Sequence, residues 1–189
     1  MLGPSTEPRP AALPRLMLVL GGARSGKSRF AESAIERAGS GLYLATATIG
    51  DAEMAARIKL HRERRGPRWT TIEEPLELAA TIATEARPDR PILVDCLTLW
   101  LSNVMLAERD AEAEIERLLA THARAGGPLV LVANEVGLGI VPDNALARAF
   151  RDHAGRLNQR VAALADRVVF LAAGLPMVLK DARPAEAAR

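Results

Sequence analysis

Aromatic side chains are scarce in this chain: three phenylalanines, two tryptophans and one tyrosine make up 3% of 189 residues. That excludes the stacking platform on which single-stranded nucleic acids are held. Cysteine is scarcer still. Cys96 stands alone, so no disulfide can form within the chain. It follows the apolar run ILVD, which marks it as a small buried side chain rather than a reactive thiol. No uninterrupted apolar stretch is long enough to cross a bilayer, and no signal peptide is recognisable. Neither sign of charge dominates, because 25 Lys and Arg face 23 Asp and Glu for a net +2. So small an excess excludes a general binder of nucleic acid or membrane. The expectation is a cytoplasmic globular protein in a reducing compartment.

The chain is rich in aliphatic residues, and its hydrophobic share is 49%. Residues 15 to 181 read as one domain large enough for a substantial core. Before it, MLGPSTEPRPAALP (1 to 14) carries four prolines and no periodicity and reads as a flexible extension. Residues 182 to 189 read as a short tail. Short apolar runs at 15 to 20, 41 to 47, 91 to 96, 128 to 134, 167 to 173 and 177 to 180 suit buried strands. Between them lie helical patterns at 25 to 38, 51 to 64, 75 to 86, about 98 to 125, and 144 to 165. Such alternation predicts an α/β fold with a mostly parallel central sheet and helices on both faces. Ligands of such sheets bind beyond the carboxyl ends of the strands.

GGARSGKS occupies the first such end. Its residues Gly21, Gly22, Ala23, Arg24, Ser25, Gly26, Lys27 and Ser28 fit G-x-x-x-x-G-K-[ST], with a strand before and a helix after. Main-chain amides of this loop and of the helix N-terminus surround phosphate oxygens. Lys27 would reach the β and γ phosphates, and Ser28 would coordinate Mg2+. Asp95, closing the strand ILVD, is the natural second magnesium ligand. This is the loop of a P-loop nucleotide-binding fold, here of RecA-like type, and by itself it names no reaction.

His61 lies within RIKLHRERRG (57 to 66) among Arg57, Lys59, Arg62, Arg64 and Arg65. On a helix over 51 to 64, Met54 and Ile58 mark the inward stripe, and His61 sits where that stripe meets the basic face. Neighbouring cations favour its neutral, nucleophilic form. Spacing alone leaves two readings open: a solvated residue on a basic face, or a nucleophile among phosphate-binding groups. His122 and His153 have no comparable setting and read as structural or surface residues.

Taken together, GGARSGKSRFAE, YLATA, DAEMAARIKLHRERR, LVDCLTLWLSNV and NEVGLGIVPDNALARAFRDHAGRLNQRVA are similar to one family. It is the bifunctional adenosylcobinamide kinase/adenosylcobinamide-phosphate guanylyltransferase family of cobalamin biosynthesis, and the resemblance runs from about 15 to 180. It implies that ATP or GTP phosphorylates adenosylcobinamide. It further implies that GTP and adenosylcobinamide phosphate give adenosylcobinamide-GDP and pyrophosphate through a guanylylated His61. It also implies nucleotide contacts at Leu44, Ala45 and Thr46, at Arg62, Glu63, Arg64 and Arg65, at Glu73, and at Asp95. Glu73 can accept hydrogen bonds from the guanine edge, and NEVG (134 to 137) would shape the active site or the corrinoid pocket. The family further implies a homotrimer, with the long helix from Asn144 as a contact element. Two features depart from the pattern: the N-terminal extension is longer, and the closing LAAGLPMVLK keeps only the outline of the usual ending. Other readings of the residues are a P-loop kinase that does not need His61, a nucleotide-switched regulatory protein, and a DNA-dependent ATPase.

Overall fold

A computed structural model of the chain describes residues 13–48 and 66–182. The expected helix over 51 to 64, most of the N-terminal extension and nearly all of the tail lie outside the described residues. In chain order the elements are β1 (Leu16–Gly21), α1 (Lys27–Glu36), β2 (Gly41–Ala45), a 3-10 turn (Gly66–Arg68) and β3 (Trp69–Glu73). Next come α2 (Leu78–Glu85), β4 (Ile92–Asp95), α3 (Leu97–Leu106), α4 (Ala111–Arg124) and β5 (Leu129–Asn134). The chain closes with α5 (Ala145–Leu164), β6 (Arg167–Ala172) and β7 (Leu175–Asp181).

All seven strands join one sheet in the order β3-β2-β4-β5-β1-β6-β7. Every pairing is parallel except β6 with β7. Successive side chains of a strand point to opposite faces, and here both faces are covered. Leu16, Leu18, Leu42, Leu44, Ile92, Val94, Leu129 and Leu131 face α2, α3, α4 and α5. Met17, Val19, Tyr43, Leu93, Val130 and Val132 face Ala31, Ala34 and Ile35 of α1. Two-sided burial is why these strands read as unbroken apolar runs instead of alternating ones.

Three elements differ from the sequence expectation. The helical stretch from 98 to 125 is two helices, because Glu108 takes a positive φ of 54° and Asp110 opens a new helix. The Asp110 carboxylate accepts the amides of Glu112 at 3.0 Å and Ala113 at 3.1 Å, a side-chain N-cap. Trp69–Glu73 is a strand that the sequence did not announce, at the sheet's edge and only partly buried. β7 is antiparallel and longer than the run 177 to 180, with Leu175, Met177, Val178 and Leu179 exposed. Lys180 near its end donates to the carbonyls of Ala162 at 3.1 Å and Ala163 at 2.9 Å, closing the C-terminus of α5.

Candidate active site

The carboxyl ends of the strands form one row across the sheet. Register pairs Glu73 with Ala45, Ala45 with Asp95, and Asn134 with Gly21. The loop Gly21–Ser28 leaves this row from β1. Gly21 has φ 150°, and a Cβ there would lie 2.5 Å from the carbonyl oxygen of Leu171 and 2.7 Å from Ser25 Oγ. Only glycine lets the loop leave the strand so tightly against β6. Arg24 and Gly26 also take positive φ, at 55° and 97°. These torsions turn the loop back toward α1.

Gly26 caps α1 without any side-chain hydrogen bond. The first amides of a helix have no partner within it, and those of α1 carry the partial positive charge of its N-terminus. Lys27, 7% exposed, folds over the loop and donates to the carbonyl of Gly22 at 2.5 Å. Ser25 Oγ is buried and has no hydrogen-bond partner among the described residues. A buried hydroxyl of that kind suits a ligand that brings acceptor oxygens. Ser28 is half-buried at the start of α1 and Arg24 is exposed on the rim. The loop is therefore an anion cradle.

Asp95 ends β4, separated from β1 by β5 alone. The Tyr43 hydroxyl donates to Asp95 Oδ2 at 2.8 Å, so the carboxylate is held in place. Asp95 and Ser28 are hard oxygen donors of the kind magnesium takes together with phosphate oxygens and water. Among the described residues no group of three or more His, Cys, Asp or Glu side chains gathers to bind a metal by itself.

At β2 the three implied contacts differ from one another. Leu44 is wholly buried in the core, and its side chain faces away from the row. Ala45 is partly exposed at the strand's end. Thr46 is 0% exposed, and its hydroxyl is engaged by Cys96: it donates to the Cys96 carbonyl and accepts the Cys96 amide, both at 2.8 Å. Asn103 on α3 donates to the Thr46 carbonyl at 2.8 Å and the Pro75 carbonyl at 3.2 Å. The Thr46 amide is engaged as well, donating to the Asp95 carbonyl at 3.2 Å, and Leu44 is paired on both sides, with Ile72 of β3 and Val94 of β4. Tyr43 and Asn103 hold the site from behind, and no spacing in the sequence marks them.

Glu73 is exposed at the end of β3. Four strand intervals separate it from β1, about 19 Å at the usual spacing. It stands at the far end of the row from the phosphate cradle. His61, Arg62, Glu63, Arg64 and Arg65 lie outside the described residues.

Cys96 is buried, and its thiol is pushed up to about 11, first by loss of solvent and then by the Asp95 charge. That agrees with the inert, buried thiol read from the sequence. His122 lies on α4, where burial and then Arg15 lower its pKa. His153 is paired with Arg156 on α5. Neither stands in the row.

A parallel sheet whose first loop cradles anions this way is that of a P-loop nucleotide-binding protein. The RadB recombinase, at 14% identity, shares this fold with a TM-score of 0.50 over 84% of this chain and 74% of its own. The family model for cobinamide kinase / cobinamide phosphate guanyltransferase matches residues 17–179, and the chain belongs to that family. It is 51% identical over 166 residues to the bifunctional adenosylcobalamin biosynthesis protein CobP of Pseudomonas aeruginosa, covering 86% of this chain and 96% of that one. It is 44% identical over 180 residues to the bifunctional adenosylcobalamin biosynthesis protein CobU of Salmonella typhimurium, covering 87% and 99%.

Proposed function

We propose that this chain, as one unit over residues 15 to 181, carries out two successive transfers on a corrinoid. In the first, the hydroxyl of the aminopropanol arm of adenosylcobinamide takes the γ phosphate of ATP or GTP. In the second, the neutral imidazole of His61 attacks the α phosphorus of GTP and pyrophosphate leaves. The phosphate of adenosylcobinamide phosphate then displaces the histidine, giving adenosylcobinamide-GDP. The observation that carries this reading is the uncapped, lysine-covered loop in a chain of this family.

The amides from Gly21 to Ser28 hold the phosphates, and Lys27 follows the charge that moves toward the leaving group in either step. Ser28 and Asp95 would hold Mg2+, which when bound neutralises charge on the β and γ phosphates. The turn at Leu44, Ala45 and Thr46, of which Ala45 is the part open at the strand's end, and the segment Arg62, Glu63, Arg64 and Arg65 line the nucleotide's path. Glu73 accepts from the guanine edge at the far end of the row. The length of that row supports this placement, since phosphates and base must lie well apart.

The protein works in the cytoplasm as a homotrimer. Among the described residues no helix is long and apolar enough to cross a membrane. The apolar, exposed edge strand β7 supports self-association, as do Leu146 and Leu164, exposed on α5. Light scattering on the purified protein checks the trimer.

The test of the whole reading is product mass. Adenosylcobinamide incubated with Mg2+ and GTP gains a phosphate and then converts to the GDP derivative. Phosphorylation alone would leave a kinase. Nucleotide binding with no corrinoid product would leave a nucleotide switch.

A further inference from the structure

Phosphoryl transfer to a hydroxyl releases a proton, and neither the loop nor Lys27 accepts one. We infer that Glu135 is the general base of the kinase step, an assignment that rests on the reading above. Glu135 is the first residue after β5, the strand beside β1. Its amide donates to the carbonyl of Gly21 at 3.1 Å, so its main chain is tied to the first residue of the phosphate loop. The preceding residue is clamped from both sides. Asn134 donates its amide to Thr98 Oγ1 at 2.7 Å, and its carbonyl accepts from Asn158 Nδ2 at 3.2 Å. The half-buried Glu135 carboxylate stays at the mouth of its loop, because Oε1 accepts the Gly137 amide at 2.8 Å. One such bond uses a fraction of a carboxylate's acceptor capacity.

The other acids of the row have other work or the wrong place. Asp95 is bonded by Tyr43 and placed for the metal. Glu74 caps the start of α2, accepting from the amides of Leu76 and Glu77 and from the Thr81 hydroxyl. Glu73 lies four strand intervals from the loop. Beyond Glu135 the chain continues into Leu138, Ile140 and Val141, which are 81%, 97% and 57% exposed. Exposed apolar side chains so close in sequence to Glu135 suit a large, partly apolar acceptor.

In the step, the acceptor's O–H proton passes to the Glu135 carboxylate as its oxygen bonds to the γ phosphorus. The bond from that phosphorus to the β–γ bridging oxygen breaks, and its electron pair leaves with the nucleoside diphosphate. Glu135 then returns the proton to solvent.

The experiment compares wild type, Glu135→Gln and Glu135→Asp in two assays: phosphorylation of adenosylcobinamide, and covalent labelling of the protein by α-labelled GTP. The glutamine variant should lose about 100-fold in kinase kcat, with little change in acceptor KM and undiminished labelling. Glu135→Asp should recover part of the loss. A glutamine variant within about threefold of wild-type kcat, or one changed in KM alone, would overturn the assignment. So would equal losses in both assays, which mark a structural role. A wild-type protein that labels but never phosphorylates the corrinoid would instead overturn the kinase reading beneath it.

Discussion

Two regions on the same edge of the sheet treat their polar groups in opposite ways. At Gly21–Ser28 the helix start is uncapped and Ser25 Oγ has no partner among the described residues. Three strands away, at the end of β2, Thr46 exchanges both its hydroxyl bonds with Cys96, and Asn103 binds its carbonyl. Unmade hydrogen bonds cost stability when buried, and at a loop on the ligand edge of the sheet a bound ligand can offset that cost. In the proposed reading, the first region is finished by phosphate. The second is finished already, and it holds β2, β4 and α3 in register so that the first stays open.

Substitutions should separate the two. Lys27→Ala should cost the largest effect, about 10³-fold in the rate of both transfers, since it removes a charge needed when the leaving group departs. Steady-state rates with circular dichroism check that the fold persists. Gly21→Ala comes next. Its Cβ would collide with the Leu171 carbonyl at 2.5 Å in a φ of 150°, and about 2–4 kcal/mol of stability should go with it. Urea unfolding measures that loss, and GTP affinity should fall with it because the loop must shift.

Thr46→Val leaves the buried amide of Cys96 without its partner, while the Cys96 carbonyl keeps the Trp100 amide at 3.1 Å. It should cost about 2 kcal/mol in urea unfolding while GTP affinity stays near wild type. An equal fall in affinity would mean that the hydroxyl itself reaches the nucleotide and would erase the contrast. Cys96 offers a finer reading of the same crossing. With its pKa raised to about 11 by burial and Asp95, it is protonated at pH 8 and should resist iodoacetamide for hours in the native protein. Raising the pH toward 11 should speed the reaction, and so should Thr46→Val at pH 8. Smallest of all, Asp110→Ala should cost about 1 kcal/mol by removing the α4 cap, with both transfers unchanged.

The phosphate loop was legible because each of its residue types has a local reason: glycine for torsion, lysine for charge, serine for a hydroxyl donor. Asp95 was legible as the polar end of an apolar strand, and Cys96 as the buried thiol after it. The central strands were legible because both their faces are covered. β3 was not, because Trp69–Glu73 lies at the sheet edge, half-buried and without a clean alternation. The break between α3 and α4 had a signal, the Asp110 cap, which the continuous helical periodicity hid. Thr46 looked like a ligand contact by resemblance. That its hydroxyl is engaged by a residue fifty positions later depends on strand order, which no local pattern carries.

The central claim is that a kinase-type loop serves a histidine nucleophile. Purified protein with Mg2+ and α-labelled GTP, denatured and digested, should carry acid-labile label on the peptide containing His61. The γ-labelled nucleotide should leave none there, and His61→Ala should abolish it. Tight GTP binding with no covalent label in the wild type would contradict the account and return His61 to a solvated basic face.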